Sequence, residues 1–140
     1  ETKTVKRIQK NNIPPNKNHA MKNINSIKTE DYDFLVIPGG VKALKKVRQN
    51  KDIINFISKF NSENKIIACI CSGAQLLISA KIVKGKKISG YYSMKDDIEN
   101  AGAIYEDLPA VIDGKIITTA HYKDLGPWMK AALNLYYKEK

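Results

Sequence analysis

The chain has 140 residues, 43% of them hydrophobic, and a formal net charge of +10 at pH 7. This length predicts one domain over residues 1–140, with a polar, largely irregular leader over 1–30 and a core over 31–140. Neither a membrane-spanning run nor a signal-peptide stretch is present, so we expect a cytoplasmic protein that binds no membrane. Arg7 and Arg48 are the only arginines, which indicates a solvated lysine surface and no nucleic-acid partner.

From Asp33 onward, short apolar runs alternate with helical patterns. "DFLVIPGG" predicts a strand buried on both faces of a parallel sheet. The apolar residues that follow have helical spacing and predict a short helix, a break near Asn50 and a longer helix capped by Asp52. "KIIACI" predicts the next buried strand, and "SGAQLLISAKIVKG" predicts a helix closed by Gly85.

The second half of the core continues this alternation. "KKISGYY" predicts a third strand, and "SMKDDIENAG" a short helix closed by Gly102. "AIYED", "AVIDG" and "KIITTA" are short β segments with Asp113-Gly114 as a hairpin turn, and "KDLGPWMKAALNLYYKEK" is the closing helix. The order predicts a doubly wound, mainly parallel α/β sheet with an attached antiparallel hairpin.

Two special turns follow the first two predicted strands. Gly39-Gly40 and Cys71-Ser72-Gly73 both fall at the carboxyl edge of the sheet, where open α/β sheets place their functional crevice. A thiol on such a strand-to-helix turn is exposed, and the helix N-terminus favours its thiolate form. The Ser72 amide and the Gly39-Gly40 amides are candidate oxyanion donors. The spacing alone is also consistent with Cys71 as a small residue of the hydrophobic core.

The two cysteines, Cys69 and Cys71, lie one residue apart in this stretch. If both belong to the strand, their side chains point to the same face. So close a pair rarely meets disulfide geometry, so we expect two thiols in a reducing compartment.

"DYDFLVIPGG", "ACICSGAQLLISA", "KGKKISGYYSMKDDIENAGA" and "VIDGKIITTAHYKDLGPWM" together resemble the PfpI intracellular-protease branch of the DJ-1/PfpI superfamily. The resemblance begins at about Asp31. It implies a flavodoxin-like three-layer αβα sandwich, a homodimer or hexamer, and Cys71 as the reactive cysteine with Cys69 as a structural one. It also implies peptide hydrolysis, methylglyoxal conversion or repair of glycated amino acids, with no cofactor and no metal.

The resemblance is incomplete around the predicted nucleophile. The protease branch has a histidine directly after the cysteine, where this chain has Ser72, and a later histidine position of other branches matches Tyr91. His19 lies in the polar leader and is expected to be a surface residue. His121 falls where relatives often have an arginine beside the site, so it is the best available general base or polar contact, although an ordinary loop histidine has the same pattern.

The family's catalytic glutamate follows an opening strand that this chain does not show before Asp31. Asp96, Asp97 and Glu99 are expected on a solvated helix face. We therefore expect the chain to lack the first β-strand unit as a fragment of a longer protein, or to obtain the strand from another chain.

Three functions are consistent with these features. The first is a cysteine hydrolase or glyoxalase-like enzyme, in which Cys71 attacks a small carbonyl compound or a peptide. The second is a redox or stress-response protein in which the same thiol is oxidised without turnover. The third is an isonitrile-hydratase-like lyase, suggested by the Cys-Ser-Gly-Ala sequence of the turn.

Overall fold

Strand β2, Ile66–Ile70, lies in the middle of the main sheet and is buried along its whole length. The structure is a computed structural model that describes residues 22–139. β2 pairs in parallel with β1 on one side and with β6 on the other, and β5 pairs antiparallel with β6. The strand order is therefore β1-β2-β6-β5, with β1 at Phe34–Ile37, β5 at Val111–Asp113 and β6 at Ile116–Thr119.

Helices cover both faces of this sheet, which gives three layers. The helices are α1 Val41–Val47, α2 Lys51–Ser62, α3 Ala74–Ser79, α4 Lys95–Asn100 and α5 Leu125–Lys138. The larger core cluster lies between the sheet and α2, α3 and α4. The smaller one lies under α5, where the Trp128 indole N–H donates to the Ile117 carbonyl oxygen at 3.1 Å. None of these helices within residues 22–139 is both long enough and apolar enough to cross a bilayer.

The segment "KKISGYY" was predicted to supply the third strand of the main sheet, and this prediction was wrong. β3, Lys87–Ile88, pairs in parallel with β4, Ile104–Tyr105, in a separate two-stranded sheet. The predicted hairpin is confirmed, because β5 and β6 are antiparallel and Gly114 has a φ of 58° in the turn between them.

Two predicted helix boundaries were wrong. The helix predicted to run to Gly85 ends at Ser79, because Lys81 takes a φ of 59° that cannot continue a helix. Helix α2 is capped by Asn50, not by Asp52. The Asn50 side-chain oxygen accepts the N–H groups of Asp52 and Ile53 at 2.9 and 3.2 Å, so Asp52 lies inside the first turn.

Strand β1 was predicted to be buried on both faces, and this prediction was wrong. Val36 is 45% exposed, whereas Ile37 is buried. β1 pairs with β2 along one edge, and the part of the chain that the structure describes supplies no strand for its other edge. Before β1, short 3-10 turns at Ile24–Ser26 and Thr29–Asp31 pack against α2, with Ile24 in the core.

Candidate active site

Cys71 immediately follows β2 and has a backbone φ of 60°. This left-handed conformation is unusual for a residue with a side chain and costs about 1–3 kcal/mol, which surrounding structure must offset. A 3-10 turn at Cys71–Gly73 then leads directly into α3. The thiol therefore lies on a sharp strand-to-helix turn, half-buried at the carboxyl edge of the sheet.

The strand ends at Ile70, so the prediction that both cysteines share a face was wrong. Cys69 belongs to the larger core cluster on the α3 side, whereas Cys71 packs against the smaller cluster under α5. The positive φ of Cys71 breaks the alternation of the strand. Burial, and to a smaller extent the neighbouring Cys71, raise the pKa of the Cys69 thiol far above its ordinary range.

The Gly39-Gly40 turn after β1 lies against the turn at Cys71–Gly73. A Cβ added at Gly39 would be 3.0 Å from the Cys71 Cβ and 3.4 Å from its Sγ. Gly40 has a φ of 109° and begins α1. Within residues 22–139 the backbone N–H groups of Gly39 and Gly40 donate to no acceptor, and Gly39 is the residue that brings this turn next to the thiol.

Gly73 allows the turn to pass close to the end of β1. A Cβ at this position would lie 2.9 Å from the Cys69 Sγ, 3.0 Å from the Ile37 Cγ2 and 3.0 Å from the Pro38 carbonyl oxygen. Contacts this short require a neighbour to move, and the Pro38 oxygen belongs to the backbone. A larger residue at 73 is therefore incompatible with this arrangement of β1 and the turn.

Ser72 is buried, and its Oγ lies 3.7 Å from the Cys71 Sγ, where either atom can donate. In the described part of the chain, no histidine and no carboxylate lies within hydrogen-bond distance of this sulfur. Asp96, Asp97 and Glu99 are exposed on α4, as expected of a solvated helix face. The predicted His19 lies outside the described residues.

His121 lies at the same edge of the sheet as Cys71. It comes two residues after Thr119, the register partner of Ile70. Its Nδ1 accepts the backbone N–H of Lys123 at 3.1 Å, so in the neutral ring the proton is on Nε2. In this tautomer Nε2 is a hydrogen-bond donor, which suits a polar contact better than a general base.

Sequence reasoning missed the role of the loop that follows β3. The Tyr91 N–H donates to the Cys71 carbonyl oxygen at 3.1 Å, and the Tyr105 hydroxyl donates to the Gly90 carbonyl oxygen at 3.2 Å. Partial burial, then the charge of Asp107 and the nearby Tyr92, raise the pKa of Tyr105, so the phenol keeps the proton that it donates. The sequence signal for this role is the "GYY" that follows the apolar run.

The site suits nucleophilic chemistry by a thiol with backbone amides beside it. Among residues 22–139 no three His, Cys, Asp or Glu side chains are grouped as ligands for a metal ion.

The family model described as "DJ-1/PfpI family" matches residues 2–135. The chain is 38% identical over 109 residues to a protein of Pyrococcus furiosus named deglycase PfpI, covering 78% of this chain and 65% of that protein. It is 36% identical over 114 residues to the putative cysteine protease YraA of Bacillus subtilis, covering 81% of this chain and 67% of that one. The chain thus spans about two thirds of the length of these curated relatives.

A solved structure supports the same relationship. It is a two-domain protein of Anabaena variabilis with DJ-1/ThiJ/PfpI-like and ferritin-like domains, and it superposes with a TM-score of 0.78 at 33% identity. The match covers 81% of this chain and 32% of that one. The predicted flavodoxin-like α/β class is therefore confirmed. The family model matches nearly the whole length of the chain, and the relatives and the fold agree with that match. This chain therefore belongs to the DJ-1/PfpI family.

Proposed function

We propose that the protein is a cysteine-dependent enzyme that acts on carbonyl groups, of the deglycase or glyoxalase type or of the amidase type. The observation that carries this proposal is the position of Cys71, half-buried on a turn with a φ of 60° and with glycine amides beside it. A cysteine kept only for packing does not require such a backbone. Relatives named deglycase and putative cysteine protease support both types.

In the proposed reaction the Cys71 sulfur forms a bond to a carbonyl carbon, and the π electrons of the carbonyl move to its oxygen. The backbone N–H groups of Gly39, Gly40 and Ser72 stabilise that oxyanion. With a 2-oxoaldehyde, transfer of a proton from the aldehyde carbon to the ketone carbon turns the adduct into a thioester. Water then hydrolyses the thioester to a 2-hydroxy acid and regenerates the thiol. With an amide, the amine leaves and water hydrolyses the resulting thioester.

His121 enters this scheme as a donor through Nε2, in keeping with the bond that its Nδ1 accepts from Lys123. We propose that the base that moves the protons is a group outside residues 22–139, since the described part of the chain offers the Cys71 sulfur only Ser72. A serine hydroxyl is a poor base near neutral pH.

The test is one preparation assayed with methylglyoxal, a glycated amino acid and a fluorogenic peptide. Cys71→Ala should abolish whichever activity is found, and Cys69→Ala, the matched control two residues away, should retain it. Full turnover in Cys71→Ala would contradict the proposal. The substrate that is consumed identifies the reaction type.

A second candidate is a redox or stress-response protein, favoured by the absence of an acid or base beside the sulfur within residues 22–139. Here hydrogen peroxide oxidises the Cys71 thiolate to a sulfenic acid, with water or hydroxide leaving. Peptide mass mapping after dilute peroxide should find oxidation at Cys71 before Cys69. If Cys71 is oxidised while every carbonyl substrate is left intact, this candidate replaces the first.

The proposal includes a cytoplasmic location and a homodimer or hexamer as the active form, as the family resemblance implies. Light scattering on the eluted peak from a sizing column measures the assembly directly. A strictly monomeric protein with full activity would contradict the oligomeric part alone.

A further inference from the structure

Four aromatic rings form a continuous row at the carboxyl edge of the sheet. The ring centroids of Tyr91 and Tyr92 are 5.6 Å apart, those of Tyr92 and His121 are 6.5 Å apart, and those of His121 and Tyr122 are 4.0 Å apart. We call Tyr91, Tyr92, His121 and Tyr122 the aromatic row. Its rings come from two separate segments, the loop after β3 and the turn after β6.

The aromatic row faces solvent to an unusual degree for rings in contact with one another. Tyr91, Tyr92 and Tyr122 are 38%, 42% and 76% exposed. Large aromatic surfaces gain most when they are covered, and tyrosine also offers a hydroxyl at its tip. A row of exposed rings with polar tips is therefore suited to a flat or apolar group.

The first segment of the aromatic row is anchored at the Cys71–Gly73 turn, and the second begins at the end of the neighbouring strand. The Tyr91 N–H donates to the Cys71 carbonyl oxygen at 3.1 Å, which fixes the first segment to Cys71 itself. Gly90 is packed so closely that an added Cβ would lie 2.8 Å from the Ile98 Cδ1, and its carbonyl accepts the Tyr105 hydroxyl. The second segment begins where β6 ends beside the end of β2.

The same surface carries a cation held against a ring. The Lys123 Nζ lies 5.9 Å from the centroid of Tyr92, and a hydrogen bond with Tyr92 raises the pKa of Lys123. The Lys123 backbone N–H also fixes the His121 ring. These contacts favour one placement of Tyr92 and His121, and a binding surface that is already in place lowers the entropy cost of binding.

We propose that the aromatic row binds the substituent on the reacting carbonyl, and that the protein selects substrates in which this substituent is an aromatic ring or a large apolar group. The inference rests on the proposed function in one respect, since it takes Cys71 as the reacting atom. A small substrate such as methylglyoxal reaches the thiol without covering the row. Tyr92, in the middle of the row, is then a specificity-determining residue.

The test uses a reaction that needs no turnover, the alkylation of Cys71 by two α-bromoketones. In both reagents the sulfur forms a bond to the CH₂ carbon and bromide leaves. Phenacyl bromide carries a phenyl group on the carbonyl, and bromoacetone carries a methyl group there. The second-order rate constants are measured by mass spectrometry, and their ratio is divided by the ratio for free cysteine. We expect the corrected ratio to be about threefold to tenfold in favour of the phenyl compound.

Variants separate the ring from other effects. Tyr92→Ala should return the corrected ratio to that of a free thiol, and Tyr92→Phe, which keeps the ring face, should preserve it. Tyr137→Ala is the matched control, because Tyr137 is 68% exposed near the end of α5, where Glu139 pairs with Lys115, at the opposite edge of the sheet from Cys71. Unfolding curves in urea confirm that each variant is folded.

Two results would overturn the inference: a wild-type ratio equal to that of free cysteine, or a ratio that Tyr92→Ala leaves unchanged. A change of assembly state in Tyr92→Ala with an unchanged ratio would assign the row to contacts between copies of the chain instead. Failure of the proposed function is recognised separately, because it appears as absent turnover or as turnover that survives Cys71→Ala. The alkylation ratio is measured without turnover and is independent of both results.

Discussion

Cys69 and Cys71 are two residues apart and have opposite surroundings. Cys69 is 1% exposed in the core between the sheet and α3, while Cys71 lies half-buried on a left-handed turn against the other face. One backbone angle separates the two environments, because the positive φ ends the strand alternation. The comparison shows that the surroundings of a thiol depend on whether its residue pairs within the strand or is the first beyond it.

The largest expected difference between the two cysteines is in chemical reactivity. Iodoacetamide should modify Cys71 at least about a thousandfold faster than Cys69, because exposing Cys69 requires unfolding that costs at least ~5 kcal/mol in an ordinary domain. Peptide mass mapping over a time course measures both rates. In denaturing urea the two rates should converge. Equal labelling of the native protein would mean that the turn opens readily.

Gly73→Ala should disturb both environments at once, because the new methyl group meets the Cys69 sulfur at 2.9 Å and the Pro38 carbonyl oxygen at 3.0 Å. We expect a loss of about 1–3 kcal/mol in the free energy of unfolding, measured in urea. Gly126→Ala is the control, since a Cβ there meets nothing within 4 Å and the site is helical. It should stabilise the protein by about 0.5–1 kcal/mol. A neutral Gly73→Ala would contradict the packing of the turn.

The buried thiol of Cys69 predicts a pH dependence of stability. Burial raises its pKa, so the folded chain keeps a proton that the unfolded chain loses near pH ~8.5. The unfolded state then binds fewer protons, and stability falls as pH rises above that value, by up to ~1.4 kcal/mol per unit. Urea unfolding measured between about pH 7.5 and about pH 9.5 should show a smaller loss of stability in Cys69→Ala than in wild type or Cys71→Ala. Equal losses in all three proteins would contradict this account.

His121→Gln should have the smallest effect of these variants, and we expect that effect on the reaction at Cys71 and not on the surroundings of Cys69. If Nε2 donates a hydrogen bond to bound substrate, its loss should lower kcat/KM about threefold to tenfold, because a single hydrogen bond contributes about 1 kcal/mol. The pH-rate profile should keep its shape. A profile that loses one limb would make His121 the general base, and unchanged kinetics would remove it from the reaction. The urea midpoint should stay at the wild-type value, because His121 lies outside both core clusters.

Local pattern predicted much of this site. The apolar run ending at Ile70 predicted both β2 and the turn after it, whereas the register of β2 with β1 and β6 is known only from the structure. The sequence pattern did not predict that α3 ends at Ser79, because alanine and lysine, the residues at positions 80 and 81, are both compatible with a helix. It also did not predict the row of rings beside Cys71, because its members are about 30 residues apart in sequence and only tertiary contact stacks Tyr92 on His121.

The sequence by itself determined the α/β alternation, the hairpin at Asp113-Gly114 and the placement of Cys71 after a buried strand, because apolar periodicity and turn residues act over a few neighbouring positions. Tertiary structure decided which face each cysteine occupies, which amides adjoin the sulfur and which nitrogen of His121 is engaged. The first depends on the backbone angle φ of Cys71, the second on the close approach of Gly39 to Cys71, and the third on the hydrogen bond from the Lys123 N–H. The spacing of side chains along the sequence encodes none of them.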